Sequence, residues 1–174
     1  MKIAAIALLV LSVARFAEAD VRVTPLVREG RVWLSFGVDD GLTPELRQAV
    51  LSGLPVTFTY DVDLRRGVAF WPDRVLNTVT IAMSVTFDTL TRRHSLARTV
   101  DGRLEATRST EDEAEVRRWL TGLDAAPLFP TSHLEANTEY YVRVRARVKP
   151  HGSLMVWPWD SGLVSTNVNF TFIP

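Results

Sequence analysis

The chain has no cysteine, and only two of its 20 basic residues, Lys2 and Lys149, are lysines. Without cysteine, no disulfide can staple the fold and no thiolate can bind a metal or attack a substrate. Nor can a diacylglyceryl anchor be attached, so stability has to come from packing. The sequence also lacks a surplus of one charge: 20 Lys and Arg balance 20 Asp and Glu. Phosphate backbones are bound through cationic excess, so no nucleic-acid partner is expected. Past the N-terminus, no apolar run approaches the ~20 residues that cross a bilayer, so residues 20–174 are expected to hold no transmembrane segment. The three histidines, His94, His133 and His151, lack metal-ligand spacing, and there is no Gly-x-Ser-x-Gly elbow. No metal, no other cofactor and no enzymatic activity are expected.

The N-terminus does carry a pattern. Lys2 precedes an apolar run, Ile3 to Ala14, and Ala17-Glu18-Ala19 offers small residues at the spacing of a cleavage site. This reads as a secretory signal peptide over residues 1–19, cleaved before Asp20, with an uncleaved anchor as the alternative. Its removal takes Lys2, Arg15 and Glu18, which leaves one more acid than base. Export without cysteine, in an arginine-rich chain, points to the periplasm of a Gram-negative bacterium.

Residues 20–174 read as one mainly β domain. Apolar and polar residues alternate at Val32 to Val38, Val56 to Leu64, Val79 to Phe87 and Val142 to Val148, the mark of half-buried strands. Asp101-Gly102 between two such stretches predicts a tight hairpin. Thr43-Pro44 and Thr110 with Glu113 predict the starts of two short helices, ended by Gly53 and Gly122. Ala125 to Pro130 reads as a connector. The expected architecture is an antiparallel β-sandwich, immunoglobulin-like or related, with two short α-helices. The inward set is expected to include Val32, Leu34, Phe36, Phe58, Tyr60, Val62, Val79, Ile81, Met83, Val85, Val142, Val144, Phe170 and Phe172. One curved sheet with both helices on its concave face is the alternative.

Two resemblances follow. Leu134 to Ala146, with Tyr140-Tyr141 before an alternating strand, resembles the E–F corner of fibronectin type III and immunoglobulin-like sandwiches. There a tyrosine hydroxyl meets upstream backbone; either tyrosine here would serve. The wider chain resembles the DUF4390 family of exported bacterial proteins of unknown function. The likeness runs through Leu34-Ser-Phe36, Leu54-Pro-Val-Thr-Phe58, Trp71-Pro-Asp73, a long strand ending at Thr91, and Tyr140-Tyr-Val-Arg-Val-Arg-Ala146. Where that family often has a second aromatic beside the tryptophan, Phe70 stands here. The resemblance implies an envelope protein, sometimes encoded near a sensor histidine kinase, and carries over no catalytic residue.

Several groups are candidates for function. Arg143, Arg145 and Arg147 share one strand face and suit anionic partners. They serve equally as cross-strand mates for acids such as Asp61 and Asp63, and a structural role is expected for them. Trp71, Trp157 and Trp159 each stand against proline in expected loops, as a contact platform or as outlying core. The expected function is a non-catalytic, exported binding module that meets an envelope or signalling protein, with peripheral contact to an anionic surface as a further partner. The alternatives are a glycan-active or other hydrolase using Asp61 and Asp63, and a lipid carrier with a cavity between helices and sheet.

Overall fold

The computed structural model describes residues 21–68, 70–150 and 164–174. The leader pattern, Trp157, Trp159 and His151 lie outside them. Nine strands and two helices follow in the order β1 (Val21–Arg28), β2 (Arg31–Val38), α1 (Pro44–Leu51), β3 (Val56–Val68), β4 (Trp71–Asp88), β5 (Arg93–Val100), β6 (Arg103–Thr110), α2 (Glu113–Thr121), β7 (Gly122–Pro130), β8 (Thr138–Pro150) and β9 (Val164–Phe172). They form two antiparallel sheets, β1-β2-β7 and β6-β5-β4-β3-β8-β9, packed as a sandwich.

The alternation sets the register. Val56, Phe58, Tyr60, Val62 and Leu64 of β3 turn inward, flanked by Val79, Ile81, Met83 and Val85 of β4 and by Val142 and Val144 of β8. Against them pack Val32, Leu34 and Phe36 of β2 and Leu123 and Phe129 of β7. The Phe36 and Tyr60 rings meet at 4.7 Å between the sheets. All of the expected inward set is buried except Phe170, which is half-buried at the margin. Burying such a side chain stabilises by roughly 1.5–3 kcal/mol, so this seam carries most of the driving force.

The turns follow their residues. Glu29-Gly30 and Asp101-Gly102 all have positive φ, as tight hairpins require. Thr43 caps α1 by accepting from the Leu46 amide, and Gly53, at φ +82°, follows its end.

Three expectations are corrected. The N-cap of α2 is Asp112, which accepts from the Ala114 amide at 2.8 Å; Thr110 ends β6, and its hydroxyl accepts from Asp112 N–H. The expected connector Ala125 to Pro130 is part of β7. This strand lies at the edge of its sheet, where Pro127 and Pro130 are tolerated, and two register shifts against β2 erase its alternation. Trp71-Pro72-Asp73 lies in β4, not in a loop. His94 is buried against Phe87. Of the two corner tyrosines, Tyr140 makes the upstream contact: its hydroxyl accepts from Glu135 N–H at 2.8 Å.

One hydrogen bond fastens α2 to the core. The Tyr60 hydroxyl donates to the Leu120 carbonyl at 2.5 Å, and burial pushes its ionisation far above the ordinary tyrosine range. Tyr60→Phe keeps the packing but orphans that carbonyl. It is expected to cost about 1–3 kcal/mol in urea unfolding, with little change in the denaturant slope.

Candidate functional site

The outward face of β3 carries acids where its inward face carries apolar residues. Asp63 lies opposite Arg143 of β8, and Asp61 opposite Arg145. The Asp63 carboxylate accepts from Arg143 at 2.6 and 3.1 Å, from Arg145 at 3.4 Å and from the Thr78 hydroxyl at 2.9 Å. Asp61 takes Arg147 and the Thr80 hydroxyl. All three arginines of the stripe are therefore paired within the chain, as the structural expectation had it. The Asp63 side chain is only 3% exposed. Burial pushes its pKa up, but hydrogen bonds from Arg143 and Thr78 and the charges of Arg145 and Arg143 outweigh that and hold it below the usual carboxylate range. A glycosidase acid needs a raised pKa and a free proton. Asp63 has neither, and Asp61 is engaged by arginine as well.

A different surface stands out at the end of the β3–β4 hairpin. β5 pairs only with Ile81 to Asp88 of β4, and β8 pairs with β3 only as far as Arg65. Residues 66–68 and 70–74 thus continue as a two-stranded ribbon that pairs with no third strand among the described residues. At its tip Phe70 is fully exposed and held at φ +65°; Val68 and Pro72 are exposed beside it, and Val75 is exposed at the ribbon's base. An aromatic residue in the left-handed region is strained by roughly 1–2 kcal/mol. The base of the ribbon is braced. Tyr141 donates to the Asp73 carboxylate, Arg65 donates to the Asp73 carbonyl at 3.3 Å, and Arg66 pairs with Glu135 at 2.7 Å. Glu135 in turn gives its amide to Tyr140. Arg66, by hydrogen bond and charge, holds the Glu135 carboxyl below its ordinary pKa.

Residues 18–151 match the family described as a domain of unknown function, DUF4390. The chain belongs to that family. No curated protein and no solved structure matches it.

In this DUF4390 chain a concave feature lies between the helices. Leu42, Val50 and Leu51 on the α1 side and Ala114 and Val116 on α2 line a cleft of about 310 Å³, with Arg117 and Arg118 beside it and the Arg47–Glu113 ion pair spanning the two helices. His94 also lines it, and its buried Nδ1 has no hydrogen-bond partner. Among the described residues, no cluster of His, Asp or Glu suits a metal ion, and no helix is long and apolar enough to cross a membrane.

The structure thus puts the three arginines together on the acids of β3 and sets Trp71 directly behind the ribbon tip, across from Val68. The sequence reading missed Phe70 and Val68 as surface residues. Their signal was the run Val68-Ala-Phe-Trp-Pro72, apolar without alternation and bounded by Arg65-Arg66 and Arg74.

Asp63 generates a pH expectation. Its folded pKa lies below the unfolded value of about 3.9. The stability it contributes is therefore complete above about pH 4 and is lost as pH falls through the folded pKa. Asp63→Asn is expected to cost about 2–3 kcal/mol at neutral pH, less than a fully buried pair because the guanidiniums remain partly exposed. It is also expected to flatten part of the acid limb when urea midpoints are plotted against pH.

Proposed function

We propose that residues 20–174 form an exported, non-catalytic binding module of the bacterial periplasm, released from the signal peptide of residues 1–19. It docks onto the envelope through the ribbon end at residues 66–68 and 70–74. The observation that carries this reading is Phe70, which is both strained and fully exposed at the tip of a braced ribbon. Nothing in its fold requires that residue. A glycine would sit at φ +65° without strain, and a polar side chain would solvate better. An expense of both kinds at one residue fits a surface kept for contact. Trp71 is next in the chain, and Trp157 and Trp159 are further contact residues on this reading. The arginine stripe belongs to the scaffold. An immunoglobulin-like kinship is part of the proposal. The Tyr140 corner supports it, while a six-stranded sheet exceeds the usual four plus three.

A second reading, carriage of a small apolar molecule, is favoured by the cleft beneath α1 and α2. Ala114→Trp would fill that cleft, and a carrier would then fail to take up decanoate.

The ribbon is tested by Phe70→Gly. It is expected to leave the unfolding midpoint unchanged or raised, because the backbone strain is released. It should at the same time lower co-sedimentation of the full chain with an envelope fraction by about tenfold or more, the worth of one buried phenylalanine. A destabilised variant with unchanged co-sedimentation would make Phe70 structural and end the reading.

A further inference from the structure

The ribbon end also carries information about what it meets. Arg66 and Arg74 are directly opposed across the β3–β4 ladder. Like charges facing each other across a ladder are unfavourable unless anions separate them. Glu135 neutralises one of the two; among the described residues, Arg74 has no ion-pair partner. Asp73, the one acid within the stretch, is tied back to the Tyr141 hydroxyl. The end of the ribbon is therefore an apolar tip behind which a row of guanidiniums stands incompletely neutralised.

The spacing fits a bilayer surface. At about 3.3 Å per residue, the Arg66–Arg74 row stands roughly 10 Å behind the tip. The polar zone on each side of the hydrocarbon core is about 5–7 Å deep. With the Phe70 ring at the edge of the hydrocarbon, the two guanidiniums reach the level of the lipid phosphates, within range of their flexible stems. An aromatic side chain beside cations is also the pattern found at membrane interfaces. A protein partner is less well matched. A stable interface takes about 800 Å² from each side, and a two-stranded tip offers little flat area. A bilayer needs no matching groove.

We propose that the ribbon end of this chain inserts into the interface of an anionic phospholipid bilayer, with Phe70 and Val68 at the acyl boundary and Arg66 and Arg74 on the phosphates. This rests on the ribbon being the docking surface and names what it docks on. Insertion is shallow and reversible: one ring and its apolar neighbours supply the hydrophobic part, and salt-sensitive attraction the remainder.

The absence of cysteine supplies the test. In the full-length chain, Val68→Cys carries one environment-sensitive fluorophore at the ribbon. Leu90→Cys, exposed in the turn after the far end of β4, carries the control. Protein-free vesicles of phosphatidylglycerol and phosphatidylethanolamine are expected to shift the ribbon label to the blue and leave the control label unchanged. This holds even where residues 1–19 attach the chain to the vesicle. Phosphatidylcholine vesicles, or salt near 0.5 M, should remove most of the shift. Arg74→Ala should weaken insertion of the ribbon, read from its label, about fivefold, and Phe70→Gly about tenfold or more. Equal shifts at both labels, or a ribbon shift indifferent to lipid charge and to Arg74, would overturn the proposal. No ribbon shift, together with Phe70-dependent binding to the envelope fraction, would overturn the lipid assignment and leave the docking surface standing for a protein. Loss of Phe70 dependence in both assays would remove both.

Discussion

The carboxylate of Asp63 is the constraint on which the middle of the large sheet depends. It is almost wholly withdrawn from water, and it answers the guanidiniums of Arg143 and Arg145 and the hydroxyl of Thr78 at once. A buried charge is tolerable only with such partners. The partners come from β4 on one side and β8 on the other, so the requirement fixes all three strands in register. A slip of one residue would send the acids into the apolar seam and Tyr60 into solvent. The arginine stripe, which in isolation suggests a binding surface, is thus the outer fastening of the same strands whose inner faces form the core.

Much of this was legible because period-2 alternation survives wherever a strand is flanked on both sides. β3 and β8 lie between neighbours, and Val56 to Leu64 and Val142 to Val148 keep their pattern without interruption. The readings that failed lie at margins. β7 is an edge strand with bulges and prolines, so its composition looks like a loop. The first ten residues of β4 lack a partner on the β5 side, and Pro72 is permitted there for that reason. The N-cap of α2 went astray because Thr110 and Asp112 are both competent capping residues; the ladder to His94 claims Thr110 for β6. As for the candidate site, acids on one face and arginines on the facing strand were visible as patterns, but their pairing is a long-range fact. The prominence of Phe70 depends on where β5 and β8 stop, which no local pattern encodes.

A projecting ribbon is usually soft, since two strands alone are marginal in water. Here its root is tied on two sides, by Tyr141 to Asp73 and by Arg66 to Glu135, and Glu135 is itself held by Tyr140. The corner that turns the chain into β8 therefore also aims the ribbon. A contact surface at the end of a braced element loses little freedom on docking, which favours binding by few residues.

The pairing of β3 with β8 has a consequence for how the molecule comes into being. The mates Asp63 and Arg143 are 80 residues apart. When the β3–β4–β5–β6 meander has formed by its local hairpins, β3 is still an open edge. Phe58, Tyr60 and Val62 on its inner face have no complete cover until β7 and β8 arrive. Long-range closure of this kind is slow, and open apolar edges invite self-association in the interval. The C-terminal third of the chain is what converts an adhesive half-sheet into a finished domain. Loss of that third would leave the N-terminal part poor in stability and prone to aggregate.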